Sequence, residues 1–230
     1  MKTLLLPLAV ASTLLLSAHA QEAPLPAPEL AGWGAPTDPD GDCKISVVED
    51  ALQMEVPGGK AHDLAAEIDT TNAPRVLQAV NGDFTLQVKV DGKFSPGEES
   101  TKASRTGYNG AAIIAMMNAD NVVTLARAVL HNGSEEVPYA NFEIRSEGKL
   151  LRMGSTGDQE LPKDGPVYLR LERRGDKFLA ATSSDGTTWK TLTPKDVPGD
   201  WSQELQVGLA AISTSKEPFT PRFSKLQLLK

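Results

Sequence analysis

The chain has 230 residues, 40% of them hydrophobic and 23% charged, with 23 lysines and arginines against 30 aspartates and glutamates. That acidic balance works against binding to phosphate backbones or anionic membrane surfaces, so nucleic acid is excluded as a fitting partner. Cys43 is the only cysteine, so no internal disulfide can form and stability must come from burial. The thiol reads either as a small buried apolar group or as a point of intermolecular pairing.

Lys2 precedes an apolar run over residues 4–16, and Ala18-His19-Ala20 places small residues where a signal peptidase reads. The pattern predicts a secretory signal peptide over residues 1–20, cleaved at Ala20-Gln21, with the mature protein secreted or periplasmic. The run is too short for a membrane span, and Gln21 rather than cysteine follows the cut. Loss of Lys2 leaves 22 basic residues against 30 acidic ones, a net charge of −8. Residues 21–31 are rich in proline, which fixes φ and removes donors, and read as a stiff linker. Residues 32–230 are expected to form one domain, because about 200 residues suffice for a single large β-sandwich core.

The domain opens near Trp33. Asp38-Pro39-Asp40-Gly41-Asp42 makes a tight acidic loop. Asp38, Asp40 and Asp42, with Asp63 as a further ligand, could surround a structural calcium ion; the full twelve-residue calcium-loop pattern is absent, so a plain turn is the leading reading. His62 has no second histidine at ligand spacing and reads as a hydrogen-bonded structural side chain. Strands are expected over residues 44–48 and 52–56. Residues 83–90 alternate Phe84, Leu86, Val88 and Val90 on one face, the pattern of a half-buried strand. Residues 93–109 are polar and read as a mobile loop. Residues 111–117 and 122–129 are apolar on both faces, as central strands are, and residues 138–145 and 149–153 form a further pair across Glu147-Gly148. Val167, Leu169 and Leu171 alternate with Tyr168, Arg170 and Glu172, and Gly175-Asp176 suits a type II′ hairpin turn. Residues 205–212 and 223–229 close the chain. Some twelve short strands without an amphipathic helix predict an all-β fold, a two-sheet antiparallel jelly-roll sandwich.

Six segments carry a resemblance: residues 38–43 (DPDGDC), 62–64 (HDL), 72–78 (NAPRVLQ), 82–84 (GDF), 142–145 (FEIR) and 169–173 (LRLER). In that order they resemble a bacterial group of concanavalin A-like domains often labelled "regulation of enolase protein 1". The likeness covers most of residues 32–229. It implies the concanavalin A-like lectin/glucanase jelly roll, whose concave face holds sugars in better-known relatives, and it implies no activity. The chain departs from the group at Thr124 and Ala126, where an arginine and a glutamate are expected. That departure weakens any polar site built on this strand.

The same fold houses retaining glycosidases with the strand motif E-x-D-x-x-E, whose two glutamates act as nucleophile and acid/base. Here Glu67-Ile68-Asp69-Thr70-Thr71-Asn72 ends in an amide, which cannot supply that proton, and Glu67 and Asp69 read as a solvated strand face. No serine lies in a nucleophile-elbow context either. Sugar binding is easier to accommodate, because aromatic rings stack on pyranoses while arginine and carboxylate groups bind hydroxyls. Tyr168, Arg170 and Glu172 share one strand face, and Glu143 and Arg145 alternate similarly on an expected neighbour; together they would line a polar concave surface. The leading reading of the same residues is cross-strand ion pairs on a wet sheet. Arg75, in a loop after Pro74, and Tyr108, at the end of the mobile segment, are secondary candidates. Trp33, Trp189 and Trp201 read as core or rim packing. The sequence therefore predicts an exported, non-catalytic module for a glycan or another extracytoplasmic ligand. The alternatives are a sugar hydrolase with a non-standard carboxylate site and an envelope structural or protein-interaction domain.

Overall fold

The computed structural model describes residues 29–230 apart from Ser104 and Asp158. The expected signal peptide and most of the proline-rich segment lie outside the described residues. Among those described, fifteen strands and one turn of 3-10 helix, Ala66–Ile68, make two antiparallel sheets. The first sheet runs, edge to edge, β1 (Ala35–Thr37), β4 (Arg75–Asn81), β14 (Glu204–Ser213), β6 (Tyr108–Asn118), β7 (Asn121–His131), β8 (Glu136–Ser146) and β9 (Lys149–Arg152). The second runs β12 (Lys190–Thr191), β11 (Lys177–Ser183), β10 (Val167–Arg174), β5 (Phe84–Asp91), β15 (Arg222–Leu229), β3 (Ala51–Glu55) and β2 (Lys44–Val48), with β13 (Lys195–Asp196) also on β11. This is the expected all-β sandwich.

The layers follow from side-chain alternation. Leu169 and Leu171 of β10 have no exposed surface and join Leu86, Val88 and Phe178 in a core shared with Ile113, Leu125, Phe142 and Leu209 of the facing sheet. Burying each such side chain contributes roughly 1.5–3 kcal/mol. The hairpin β10–β11 closes Arg174 on Lys177 across two residues. Gly175 has φ +57 there while Asp176 keeps a negative φ, as a type II′ turn needs.

β6 and β7 are buried on both faces, which explains their unbroken apolar runs. Ala112, Ile114, Val122, Ala126, Ala128 and Ile212 face outward from the sandwich but form a second cluster, covered by Leu64 and Ala73. The segment from residue 61 to 73 is thus a cover on the outer face of the seven-stranded sheet. Backbone bonds tie it down: His62 N–H donates to Ser213 O and Ser213 N–H donates to His62 O, both at 2.8 Å.

Two local expectations are corrected. Glu67 sits in the 3-10 turn, and Asp69 ends that turn in the left-handed region at φ 53, so neither lies on a strand face. Arg75 opens β4 instead of lying in a loop, and Tyr108 opens β6.

Candidate functional site

Neighbouring pairs of β7 and β8 set the floor of a cleft on the outer face. Thr124 lies opposite Glu143, Ala126 opposite Asn141, and Ala128 opposite Tyr139. Thr124, Ala126, Tyr139, Asn141, Glu143 and Arg145 all line a space of about 620 Å³, which Asp63, Arg105 and Tyr108 border from other segments. That volume lies within the range of small-molecule sites. Small side chains at positions 124 and 126 leave this floor open. The departure read as weakening a polar site on this strand therefore lies at the cleft's centre, where an arginine and a glutamate would occupy the space.

Tyr108 enters because Gly110 lets it. A Cβ at Gly110 would come within 2.7 Å of the Tyr108 hydroxyl, so the ring lies over the glycine on its own strand face. Asn141 Nδ2 donates to that hydroxyl at 3.1 Å, which leaves the phenolic proton to be donated elsewhere. Burial, then the neighbouring Tyr139 and Glu143, push the Tyr108 pKa well above its ordinary value, so the phenol stays protonated. Asn141 Oδ1 and Thr124 Oγ1 are buried without a hydrogen-bond partner. Gly154 packs against the same amide, since a Cβ there would overlap Asn141 Oδ1 at 1.8 Å.

At the other end Arg145, only 5% exposed, donates through Nη1 to Glu143 Oε2 at 2.8 Å. Its Nε and Nη2 reach Glu67 Oε2 and Oε1 at 2.9 and 3.2 Å. Burial works against the cation, but the two carboxylates outweigh it and raise its pKa. Glu67 feels burial too, yet Arg145 holds its pKa below the usual value. Asp63 differs. Burial raises its pKa to about 6, only partly countered by the Leu64 N–H on its Oδ1 at 2.7 Å and by the field of Arg145, while Glu143 adds to the rise. The cleft thus holds one carboxyl group that changes charge near pH 6.

The structure divides the residues expected to form one polar surface. β10 pairs with β5 and β11, whereas β8 pairs with β7 and β9. Tyr168, Arg170 and Glu172 therefore face outward on one side of the sandwich, and Glu143 and Arg145 on the other; period-two alternation fixes which residues share a face but not which strands share a sheet. The β10 trio is engaged with neighbours. Arg170 Nε and Nη2 donate to Gln87 Oε1 at 3.2 and 2.8 Å, and its guanidinium lies 3.8 Å from the centre of the Trp189 ring. Glu172 Oε2 accepts from Arg174 and Thr85, and the Tyr168 hydroxyl accepts from Lys225 Nζ at 3.2 Å. Arg75 turns Nη1 to the carbonyls of Ala73 and Thr71, away from the cleft. Tyr108 is brought in. Asn141 was not singled out by the sequence, Glu67 was read as part of a solvated strand face, and Asp63 was singled out for another role.

The acidic loop is likewise rearranged. Asp40 and Asp42 share the ammonium of Lys60 at 2.8 and 3.0 Å, Asp38 Oδ2 accepts from the Cys43 N–H, and Asp63 belongs to the cleft. The four carboxylates expected around calcium thus do not converge. Asp42, Cys43 and His62 do, among the described residues.

No family model matches the chain, and no curated protein matches it. Solved structures do. A Saccharomyces cerevisiae protein of unknown function superposes with a TM-score of 0.66 at 16% identity, over 88% of this chain and 98% of that one. The carbohydrate-binding module CBM66 from Bacillus subtilis gives 0.52 at 13% identity, over 88% of this chain and 100% of the module. The GH43 protein BlXynB from Bacillus licheniformis gives 0.58 at 16% identity, over 81% of this chain but only 34% of that protein. These likenesses establish the fold class, a two-sheet antiparallel β-sandwich of the jelly-roll type.

Proposed function

We propose that the protein is an exported, non-catalytic binding module that takes a glycan in the cleft on the outer face of the seven-stranded sheet. On its ordered motifs we place it in the "regulation of enolase protein 1"-like group. The observation that carries the binding reading is the pair of buried, unpartnered acceptors, Asn141 Oδ1 and Thr124 Oγ1, on the floor of an open cleft. Each buried polar group left unpaired costs about 1–3 kcal/mol. Ligand hydroxyl groups that displace the atoms now covering these oxygens would satisfy both, while the Tyr108 hydroxyl donates and Glu143 accepts. The rings of Tyr108 and Tyr139 supply the apolar surface on which a pyranose packs. The sandwich likeness to a carbohydrate-binding module supports this reading at the level of fold.

Asp63 favours a second reading. A carboxylic acid with pKa near 6 beside a second carboxyl group is what general-acid hydrolysis uses. A glycan array probed with the purified protein separates the two. Retention without cleavage, lost in Asn141→Leu, supports the binding module. Release of reducing ends that stops in Asp63→Asn while retention persists supports the hydrolase. Silence on every glycan would overturn both and favour a protein-interaction role.

A further inference from the structure

Away from the cleft, three donors of different chemistry meet where the acidic loop touches residue 62. His62 Nε2 lies 3.0 Å from Asp42 Oδ1, Cys43 Sγ lies 3.6 Å from the same oxygen, and all three ligand atoms fall within 4.8 Å of one another. Tetrahedral zinc holds sulfur at about 2.3 Å and nitrogen or oxygen at about 2.0–2.2 Å, which puts neighbouring ligand atoms roughly 3.3–3.8 Å apart. The two separations from Asp42 Oδ1, 3.0 and 3.6 Å, lie within a few tenths of an ångström of that spacing.

The surroundings suit a cation. The His62 side chain has no exposed surface, and its Nδ1 has no hydrogen-bond partner. Asp38 Oδ1 is also buried and unpartnered, while its Oδ2 holds the Cys43 N–H at 2.7 Å. Asp40 and Asp42 share the single ammonium of Lys60. Lys60 sits on Oδ2 of Asp42 and leaves Oδ1 turned toward Cys43 and His62. A hard, oxygen-seeking cation such as calcium gains little from sulfur and imidazole, whereas zinc accepts all three donors.

We propose that Asp42, Cys43 and His62 form a structural site for a borderline-soft divalent cation, zinc, with the fourth position open to solvent. On binding, the Cys43 thiol releases its proton to water, the His62 ring proton moves from Nε2 to Nδ1, and sulfur and Nε2 exchange their hydrogen bonds to Asp42 Oδ1 for bonds to the metal. The ion clips the acidic loop to the cover segment that begins at residue 61. The site stands on other residues than the glycan reading and does not depend on it.

Titration of the purified protein with Co²⁺, followed by absorbance, tests the proposal. The expected result is a thiolate-to-cobalt charge-transfer band that saturates at one equivalent, with tetrahedral visible bands, both bleached by Zn²⁺. Cys43→Ser, which keeps shape and loses thiolate, should abolish the charge-transfer band. Asp42→Asn should weaken Co²⁺ binding by more than the roughly 10- to 100-fold that loss of an outer-shell partner costs. Asp40→Asn should keep the band, and far-UV circular dichroism should show every variant folded. Absence of the band with Co²⁺ in large excess overturns the proposal, as does a band that survives Cys43→Ser. A melting temperature raised by Ca²⁺ but not by Zn²⁺ also overturns it.

Discussion

Arg145 on β8 grips both carboxylate oxygens of Glu67 in the 3-10 turn, at 2.9 and 3.2 Å, across 78 residues of sequence. The planar guanidinium matches the carboxylate in a fork that a lysine cannot reproduce. Arg145→Ala would leave Glu67 and Glu143 facing each other without their cation. Removing one partner of a buried pair costs about 3–5 kcal/mol; the partly exposed glutamates place this variant toward the lower figure. Arg145→Lys should lose less. Urea denaturation measures both, and equal stabilities for the two variants would refute the role of the fork.

The Asp63 carboxyl group gives the protein a pH signature. Its folded pKa, about 6, lies above the ordinary 3.8, so the folded state holds this proton more tightly than the unfolded chain. The stability it adds is complete below about pH 4 and is lost as pH rises from about 4 to about 6. Asp63→Asn keeps an acceptor for the Leu64 N–H and removes the buried charge. It should flatten that part of the pH profile and raise stability at neutral pH by roughly 1–3 kcal/mol. Melting temperatures measured between pH 4 and 8 check this; parallel profiles for the two proteins would be the contrary result.

Gly154→Ala probes the cleft floor through packing alone. Its Cβ would overlap Asn141 Oδ1, so the amide must turn and lose the geometry it offers a ligand. Glycan affinity should fall roughly tenfold, about 1.4 kcal/mol, in a titration against whichever sugar the array selects. An unchanged affinity would show that Asn141 does not contact the ligand.

The opposite face supplies the control. Arg170→Ala removes a guanidinium stacked 3.8 Å from the Trp189 ring centre and should cost about 0.5–1 kcal/mol of stability. It should leave glycan retention unchanged, because β10 lies in the other sheet. Loss of retention in this variant would move the ligand to the eight-stranded sheet.

What the sequence made legible follows from alternation and turns. Phe84 to Val90 and Val167 to Leu171 announce their buried faces, and Gly175 announces the corner between β10 and β11. The assignment of strands to sheets was not legible, since neither Glu143 nor Arg170 carries a local mark of its partner strand. The short edge strand β1 lacks an alternating run long enough to register. Glu67 was noticed but placed on a strand face, because a single 3-10 turn has no periodicity to mark it. Tyr108 was visible only as a residue beside a polar loop; the signal available was Gly110 two positions on, which spares room for a ring on the same face. Thr124 and Ala126 were noticed as departures, but that small residues open a space becomes apparent only once Asn141 and Glu143 stand opposite them.

Neighbouring side chains at His62 and Asp63 serve different clients, one reaching back to the acidic loop and the other forward into the cleft. One peptide bond therefore joins the candidate ion clip to the rim of the cleft. Two batches of protein that differ only in whether they met a chelator during purification would then report different sugar affinities, and their purification history would have to accompany any binding constant.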